Sequence, residues 1–191
     1  TIETLRNGRK TYPRHLVEFK EYVEAVLADR HHKEIKLDFV ADLMEIKDKK
    51  WQSAIETYLY SQKFSFVVDE AYFKEAVAIY NDNRERFNDV AIIDTGKIYQ
   101  RRNTFTCLNG SLASEIETEN KYVRAYIDML IGTLMKVDRI EDINMYDRGI
   151  TATGMLYQNF TARQMNVARS KTPFIGKRAT ATQIEGYLAL V

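Results

Sequence analysis

Apolar positions along the chain change period repeatedly, between the 3.6 of a helix and the 2 of a strand. Leu16, Phe19, Val23, Val26 and Leu27 share one helical face up to about Arg30, and Pro13 suits the first turn, where its missing N–H is not needed. Ile35 to Phe39 alternates apolar and polar residues, as a half-buried strand does. Asp48 is placed to cap a helix from about Lys49 to Ser61. Phe64, Ser65, Phe66, Val67 and Val68 read as a buried strand, and Asp69 as the cap of a helix carrying Tyr72, Phe73, Ala76, Val77 and Tyr80. Val90 to Asp94 predicts a further short strand, ended by Thr95-Gly96.

The second half repeats the plan. Asn120 predicts the cap of a helix bearing Val123, Tyr126, Ile127, Leu130 and Ile131, closed by Gly132. A strand follows from Leu134 to Val137, and Asp138 is read as the cap of a short helix with Ile140 and Ile143. Residues 51–73 overlay residues 120–142 at a constant offset, with Phe66 on Met135 and Asp69 on Asp138. Two related helix–strand–Asp–helix units are therefore expected. Thr153-Gly154 fits a tight hairpin turn. Gly132, directly before a strand, admits close approach of another backbone, from this chain or from a second subunit. The ends look alike: Ile2 and Leu5 form a stripe that stops near Gly8, and Ile184, Tyr187, Leu188 and Val191 repeat on one helix face without a cap. Such stripes, and the missing initiator Met, are expected of a processed or excised piece whose two end helices pack on each other.

The chain has 191 residues, 45% hydrophobic and 29% charged, which predicts one ordered domain or two small halves sharing a core. Two Pro and eight Gly exclude collagen-like and low-complexity chains. The single Cys107 cannot form an intrachain disulfide, and a reducing cytoplasm is expected. No run of about 18 apolar residues suits a membrane span. The net charge of +1 gives no general push toward nucleic acid, but its distribution is uneven. Acids dominate residues 111–147, and bases dominate residues 163–191.

No enzyme centre is legible. Phosphate-cradling and dinucleotide-binding glycine motifs are absent, and Thr95-Gly96-Lys97 has too few glycines. His31 and His32 are adjacent and point apart, and His15 is isolated. Cys107 lacks a base partner and is expected to be a buried structural thiol. Glu115, Glu117 and Glu119 alternate and could hold a hard cation, though a solvated acidic loop is the simpler reading. Tyr157, Phe160 and Phe174 are interleaved with Arg163, Arg169, Lys171, Lys177 and Arg178, a mixture suited to single-stranded nucleic acid and equally to a protein interface. Arg101 and Arg102 add a second basic spot. No cofactor and no metal are expected.

Taken together, these segments resemble the hinge domain of SMC proteins, the long ATPases of cohesin and condensin. Residues 54–59 followed by Phe66-Val67-Val68-Asp69 match the first repeated unit, and residues 126–132 followed by Val137-Asp138 match the second. Residues 90–94 resemble the strand closing the first subdomain, and residues 150–154 the later hairpin. Trp51-Gln52-x-Ala54-Ile55-Glu56 and residues 155–160 look like the condensin-like Muk/Mks branch, nearest to the SMC subunit of Wadjet plasmid-defence systems. Two departures stand out: Ser61 takes the place of a usual glycine, and residues 157–162 replace a glycine cluster.

The resemblance implies an α+β (mixed α/β) fold of two pseudo-repeated subdomains, at residues 13–105 and 106–178. Coiled-coil arms would begin at residues 1–12 and 179–191. It implies a non-catalytic, cytoplasmic and nucleoid-associated module that pairs with itself as a homodimer, joining two arms of a parent ATPase for DNA entrapment, in plasmid defence or chromosome organisation. Other subunits of an SMC complex would bind through the parent chain. Edge strands are the natural joining device, and the expected dimer residues are Gly132, Thr133, Gly154, Met155, Tyr157 and Phe160. The alternative is that these residues only pack the subdomains together. Weak, sequence-independent DNA contact is expected at Arg101, Arg102, Arg163, Arg169, Lys171, Lys177 and Arg178. A nucleic-acid-binding module using residues 157–178 is the second reading, and a small α/β enzyme without a legible motif is the third.

Overall fold

The computed structural model describes residues 10–190, apart from the side chain of Arg178. In chain order the regular elements are α1 (Arg14–His31), β1 (Asp38–Phe39), β2 (Glu45–Ile46), α2 (Gln52–Leu59), β3 (Phe66–Val67), α3 (Phe73–Asp82), α4 (Thr95–Gln100), β4 (Ile116–Glu117), α5 (Lys121–Ile131), β5 (Met135–Val137), β6 (Gly149–Thr151), β7 (Met155–Gln158), β8 (Thr161–Gln164) and α6 (Lys177–Ala189). Short 3-10 turns connect several of them. Ile2, Leu5, Gly8 and Val191 lie outside the described residues.

The helical face read from the sequence is the buried face of α1: Leu16, Phe19, Val23 and Leu27. Asp48, Asp69 and Asn120 cap as expected, accepting from the backbone N–H groups of Lys50, Ala71, and Tyr122 with Val123 respectively. Asp48 and Asp69 cap 3-10 turns, which then lead into α2 and α3. One expected cap fails: Asp138 caps nothing; its side chain pairs with Lys50 at 3.2 Å, and residues 140–142 form one 3-10 turn. Gly132 closes α5 as expected, though with a φ of −67° rather than in the left-handed conformation. Its role is space: a Cβ there would lie 1.9 Å from the Thr106 carbonyl oxygen. The close approach is therefore within the chain, and Leu108 N donates to Gly132 O at 2.9 Å.

The repeat extends to strand neighbours. In the first half β3 pairs antiparallel with β1 (Phe39 opposite Phe66) and makes a parallel bridge to Ile92. In the second half β5 makes an antiparallel bridge from Met135 to Ser111 and pairs parallel with β6. Residues 90–94 contribute only that single bridge, rather than a full strand. The second half adds β7 and β8, giving a four-stranded sheet in the order β5-β6-β7-β8.

One apolar core runs through both halves, including Phe19, Leu37, Ile55 and Phe66 from the first and Leu112, Val123, Ile127 and Ile150 from the second. Antiparallel pairing of β2 with β4 stitches them, with Ile46 opposite Ile116. Within the second half, Arg124 bonds to Ile116 O, Ala113 O and Asp128. A buried carboxylate fixes the segment leading into α6. Glu56 Oε2 accepts from the N–H groups of Phe174 and Ile175, both at 2.8 Å, and from Gln52 Nε2. Its other oxygen faces Lys63 Nζ at 3.0 Å, with the side chains only 1% and 3% exposed. The two ends meet where Thr11 N donates to Gln183 Oε1 at 3.0 Å.

Candidate functional site

The β7–β8 hairpin is the least ordinary feature of the surface. Gln158 pairs with Thr161, so the turn has two residues, Asn159 and Phe160, with φ of 52° and 58°. A two-residue turn with both φ positive matches the strand twist and favours Asn and Gly. Asn159 suits its place. Phe160 does not: a left-handed conformation costs a non-glycine residue about 1–2 kcal/mol. Its side chain is also 93% exposed.

All four residues of β8 are exposed, and no strand among the described residues covers its outer side. The other edge of the sheet, β5, is covered: Leu112 N donates to Leu134 O, and Lys136 N to Gly110 O. In a two-residue hairpin the pair beside the turn exchanges both hydrogen bonds, and bonded pairs then alternate. Met165 N donates to Gly154 O at 2.9 Å, in the same parity. The backbone N–H and C=O of Ala162 and Gln164 therefore point outward, unpaired. A second open edge lies in the first half. Phe66 N donates to Ala91 O and Ile93 N to Phe66 O, so the backbone groups of Ile92 between them face away from β3.

The expected dimer residues divide by position. The starts of β5, β6 and β8 and the end of β7 share one end of the sheet. Gly132, Thr133, Tyr157 and Phe160 gather there. Arg148 organises this end by donating to Thr133 Oγ1, Tyr58 Oη and Leu130 O. Tyr58 in turn donates to Gln158 Oε1 at 3.4 Å. Gly154, in the β6–β7 turn, and Met155, the first residue of β7, sit at the opposite end, and Gly154 needs its φ of +92°.

Two clefts adjoin this end. One of about 860 Å³ is lined by His15, Tyr60, Phe64, Tyr126, Arg169 and Lys171 among others. A smaller one of about 320 Å³ is lined by Ile92, Ile98, Phe105 and Met129 together with Asp94, Lys97 and Arg101. Ser65, Ala91 and Tyr126 line both, so the two are neighbours. Burial raises the pKa of the Tyr126 hydroxyl, which lies 3.3 Å from Ser65 Oγ.

The basic residues are only partly brought together. Arg169 stacks 4.5 Å over Tyr60 and donates to its hydroxyl, beside Lys171 in the larger cleft. Arg101 reaches the smaller cleft, and exposed Arg102 stacks 4.0 Å over Tyr99. Arg163 stands apart on β8, and Lys177 begins α6, its N–H bonded to Glu45. Arg178 starts the same helix, its side chain outside the description. Phe174 is not a free stacking platform: it packs against Phe64 and Tyr12.

The remaining candidates scatter. Cys107 is exposed, correcting the expectation of a buried thiol. His31 binds Glu75 at 2.7 Å, holding that carboxyl below its usual pKa, while His32 is the exposed left-handed residue ending α1. Glu115 pairs with Lys136, and Glu117 and Glu119 point to solvent. No group of three metal-ligating side chains occurs among the described residues. No helix among them is long and apolar enough to cross a membrane.

Neither a family model nor a curated protein sequence matches the chain. Solved structures do. The hinge domain of Geobacillus stearothermophilus SMC, solved as an asymmetric dimer, superposes over 99% of this chain and 80% of its own, with a TM-score of 0.58 at 15% identity. The chain has the SMC hinge fold. The Pyrococcus furiosus SMC hinge gives 0.51 over 83% of this chain and 90% of its own, at 19% identity. The S. pombe Smc5/6 hinge gives 0.54 over 85% and 69%, at 14% identity. At such identities the likeness is one of fold. What the hinge fold adds to the bare residues is the placement of its open edges, one in each half of the chain.

Proposed function

We propose that this chain is a non-catalytic hinge module that joins two copies of itself. The observation that carries the reading is the open edge of β8 in a molecule with the SMC hinge fold. Unpaired N–H and C=O groups along an exposed strand template a partner strand. Such an edge is normally blunted by charge, bulges or Pro; here Arg163 is the only charged residue in the strand. Subdomains at residues 13–105 and 106–178 would carry coiled-coil arms at residues 1–12 and 179–191, as in the Pyrococcus furiosus Smc hinge solved with an extended coiled coil. The partly uncovered stripe of α6, with Leu188 51% exposed, fits a helix awaiting a partner helix. Within the SMC proteins, the motifs around Trp51 and Met155 favour the condensin-like Muk/Mks branch, and a parent ATPase of Wadjet type that entraps DNA.

The test uses the outward N–H of Ala162. In Ala162→Pro that donor is lost while the bonds of β8 to β7 are kept, because an edge strand tolerates Pro where the N–H faces solvent. We expect the variant to fold and to lose self-association, and the Ala162 and Gln164 amides of the native chain to become protected from hydrogen exchange as concentration rises. Equal association of the variant, with no protection at these amides, would remove the β8 edge from the interface.

A second reading is favoured by the two neighbouring clefts, one lined by Arg169 and Lys171 and the other by Lys97 and Arg101. Single-stranded nucleic acid would track the cations and stack on Tyr60. Its affinity should fall steeply with salt, and more shallowly after Arg101, Arg169 and Lys171 are replaced by Gln. Binding that ignores both salt and these substitutions contradicts it.

A further inference from the structure

The β7–β8 tip is built against the preference of its own turn. A turn with two positive φ values calls for glycine at its second residue, and the chain places Phe160 there, with 93% exposure leaving the ring unpacked in its own chain. Both the strain and the exposed ring disfavour the isolated subunit, and both would be offset by burial in a partner. We propose that Phe160 anchors the self-association surface, seated in the cleft formed by Ile92, Ile98, Phe105 and Met129 of a second copy. The inference rests on the hinge reading, and adds to it the residue that holds the copies together and the pocket that receives it.

Two observations select a second copy as the occupant. The first is fit. The cleft has about 320 Å³ and an apolar floor, and a dry cavity of about 150 Å³ already accepts a benzene ring. The second is placement. A two-fold dimer uses the same surface on both subunits, so anchor and receptor must share a face. Both lie toward the tip end of the sheet: Phe105 of the cleft precedes Thr106, whose carbonyl lies against Gly132 before β5, and Arg148 ties Leu130 O, next to Met129, to Tyr58, which reaches Gln158 beside the turn. The open backbone of Ile92 lines the same cleft, so ring insertion would bring an edge strand alongside.

The experiment is sedimentation velocity over a dilution series of the native chain and of Phe160→Gly, Phe160→Trp and Met129→Lys. Phe160→Gly suits the turn, so it should melt higher than the native chain at concentrations where both are monomeric. Its dimer dissociation constant should nonetheless rise at least about a hundredfold, the scale for truncating a buried aromatic anchor present twice per dimer. Phe160→Trp should retain association, and Met129→Lys should weaken it as Phe160→Gly does. A native dimer that Phe160→Gly leaves intact overturns the anchor while sparing the hinge reading. Loss of association in Phe160→Gly but not in Met129→Lys overturns the cleft as receptor. A native chain that stays monomeric overturns both readings.

Discussion

Replacing Glu56 by Ala should cost this fold more than any other single charge removal among the described residues. The carboxylate serves four groups from inside the core: Lys63 Nζ at 3.0 Å, the N–H groups of Phe174 and Ile175 at 2.8 Å, and Gln52 Nε2 at 2.8 Å. In Glu56→Ala the Lys63 ammonium, 3% exposed, keeps only the Glu56 main-chain carbonyl at 3.2 Å and the faces of Phe64 and Phe174. Breaking a buried pair from one side costs about 3–5 kcal/mol, and each buried donor left unpaired about 1–3 kcal/mol. One side chain serves all of these, so the costs overlap, and about 4 kcal/mol in total is expected. Domains of this kind hold about 5–15 kcal/mol, so a quarter or more of the stability should go. At about 2–4 °C per kcal/mol for this size, the melting temperature should fall by roughly 8–16 °C. Urea unfolding followed by circular dichroism measures the loss, and hydrogen exchange at Phe174 and Ile175 locates it. The double change Glu56→Met with Lys63→Met should recover most of it, because neither charge is then stranded. A loss below about 1 kcal/mol, or unaltered exchange at those two amides, would refute the claim that this pair fixes the root of α6.

Gly132→Ala should lower stability by at least about 1–3 kcal/mol by urea titration, because its Cβ meets the Thr106 main chain; an unchanged midpoint would show that loop to be free to move. Tyr12 should make the fold sensitive to alkali. Burial, then the Asp42 carboxylate, raises its pKa far above the usual phenol range. The folded state therefore keeps a proton that the unfolded chain releases above about pH 10. The contribution is complete below that pH and declines as pH rises further. Tyr12→Phe should lose about 1 kcal/mol at neutral pH, through the 2.6 Å bond to Asp42, yet show a shallower alkaline decline. An equally steep decline would assign the sensitivity to other groups.

The sequence disclosed much of this fold because its strongest signals are local. The face of α1, the caps at Asp48, Asp69 and Asn120, and the offset placing Phe66 on Met135 depend on near neighbours. The errors fall where tertiary partners decide. Asp138 is taken by Lys50 instead of capping. Gly132 closes α5 as read, but what demands a glycine there is the Thr106 carbonyl, which arrives from a distant segment. Residues 90–94 have one neighbour strand, so they bridge at one point. Helix α4 was missed because Thr95-Gly96 reads as a turn, although Asp94 caps it through Lys97 N. Of the proposed association surface, Phe160 and Tyr157 were legible as aromatics interleaved with basic residues and through the hinge resemblance. The cleft was not, because Ile92, Phe105 and Met129 come from three separate segments. Glu56 left a usable trace: a carboxylate between Ile55 and Leu59 in an otherwise apolar helix is out of place unless a buried partner awaits it.

Joining two copies is the central claim, and molar mass in solution tests it most directly. Light scattering behind a sizing column, across a dilution series of the 191-residue chain, should give about twice 22.3 kDa down to low micromolar concentration. A mass of 22.3 kDa at every concentration would contradict the account.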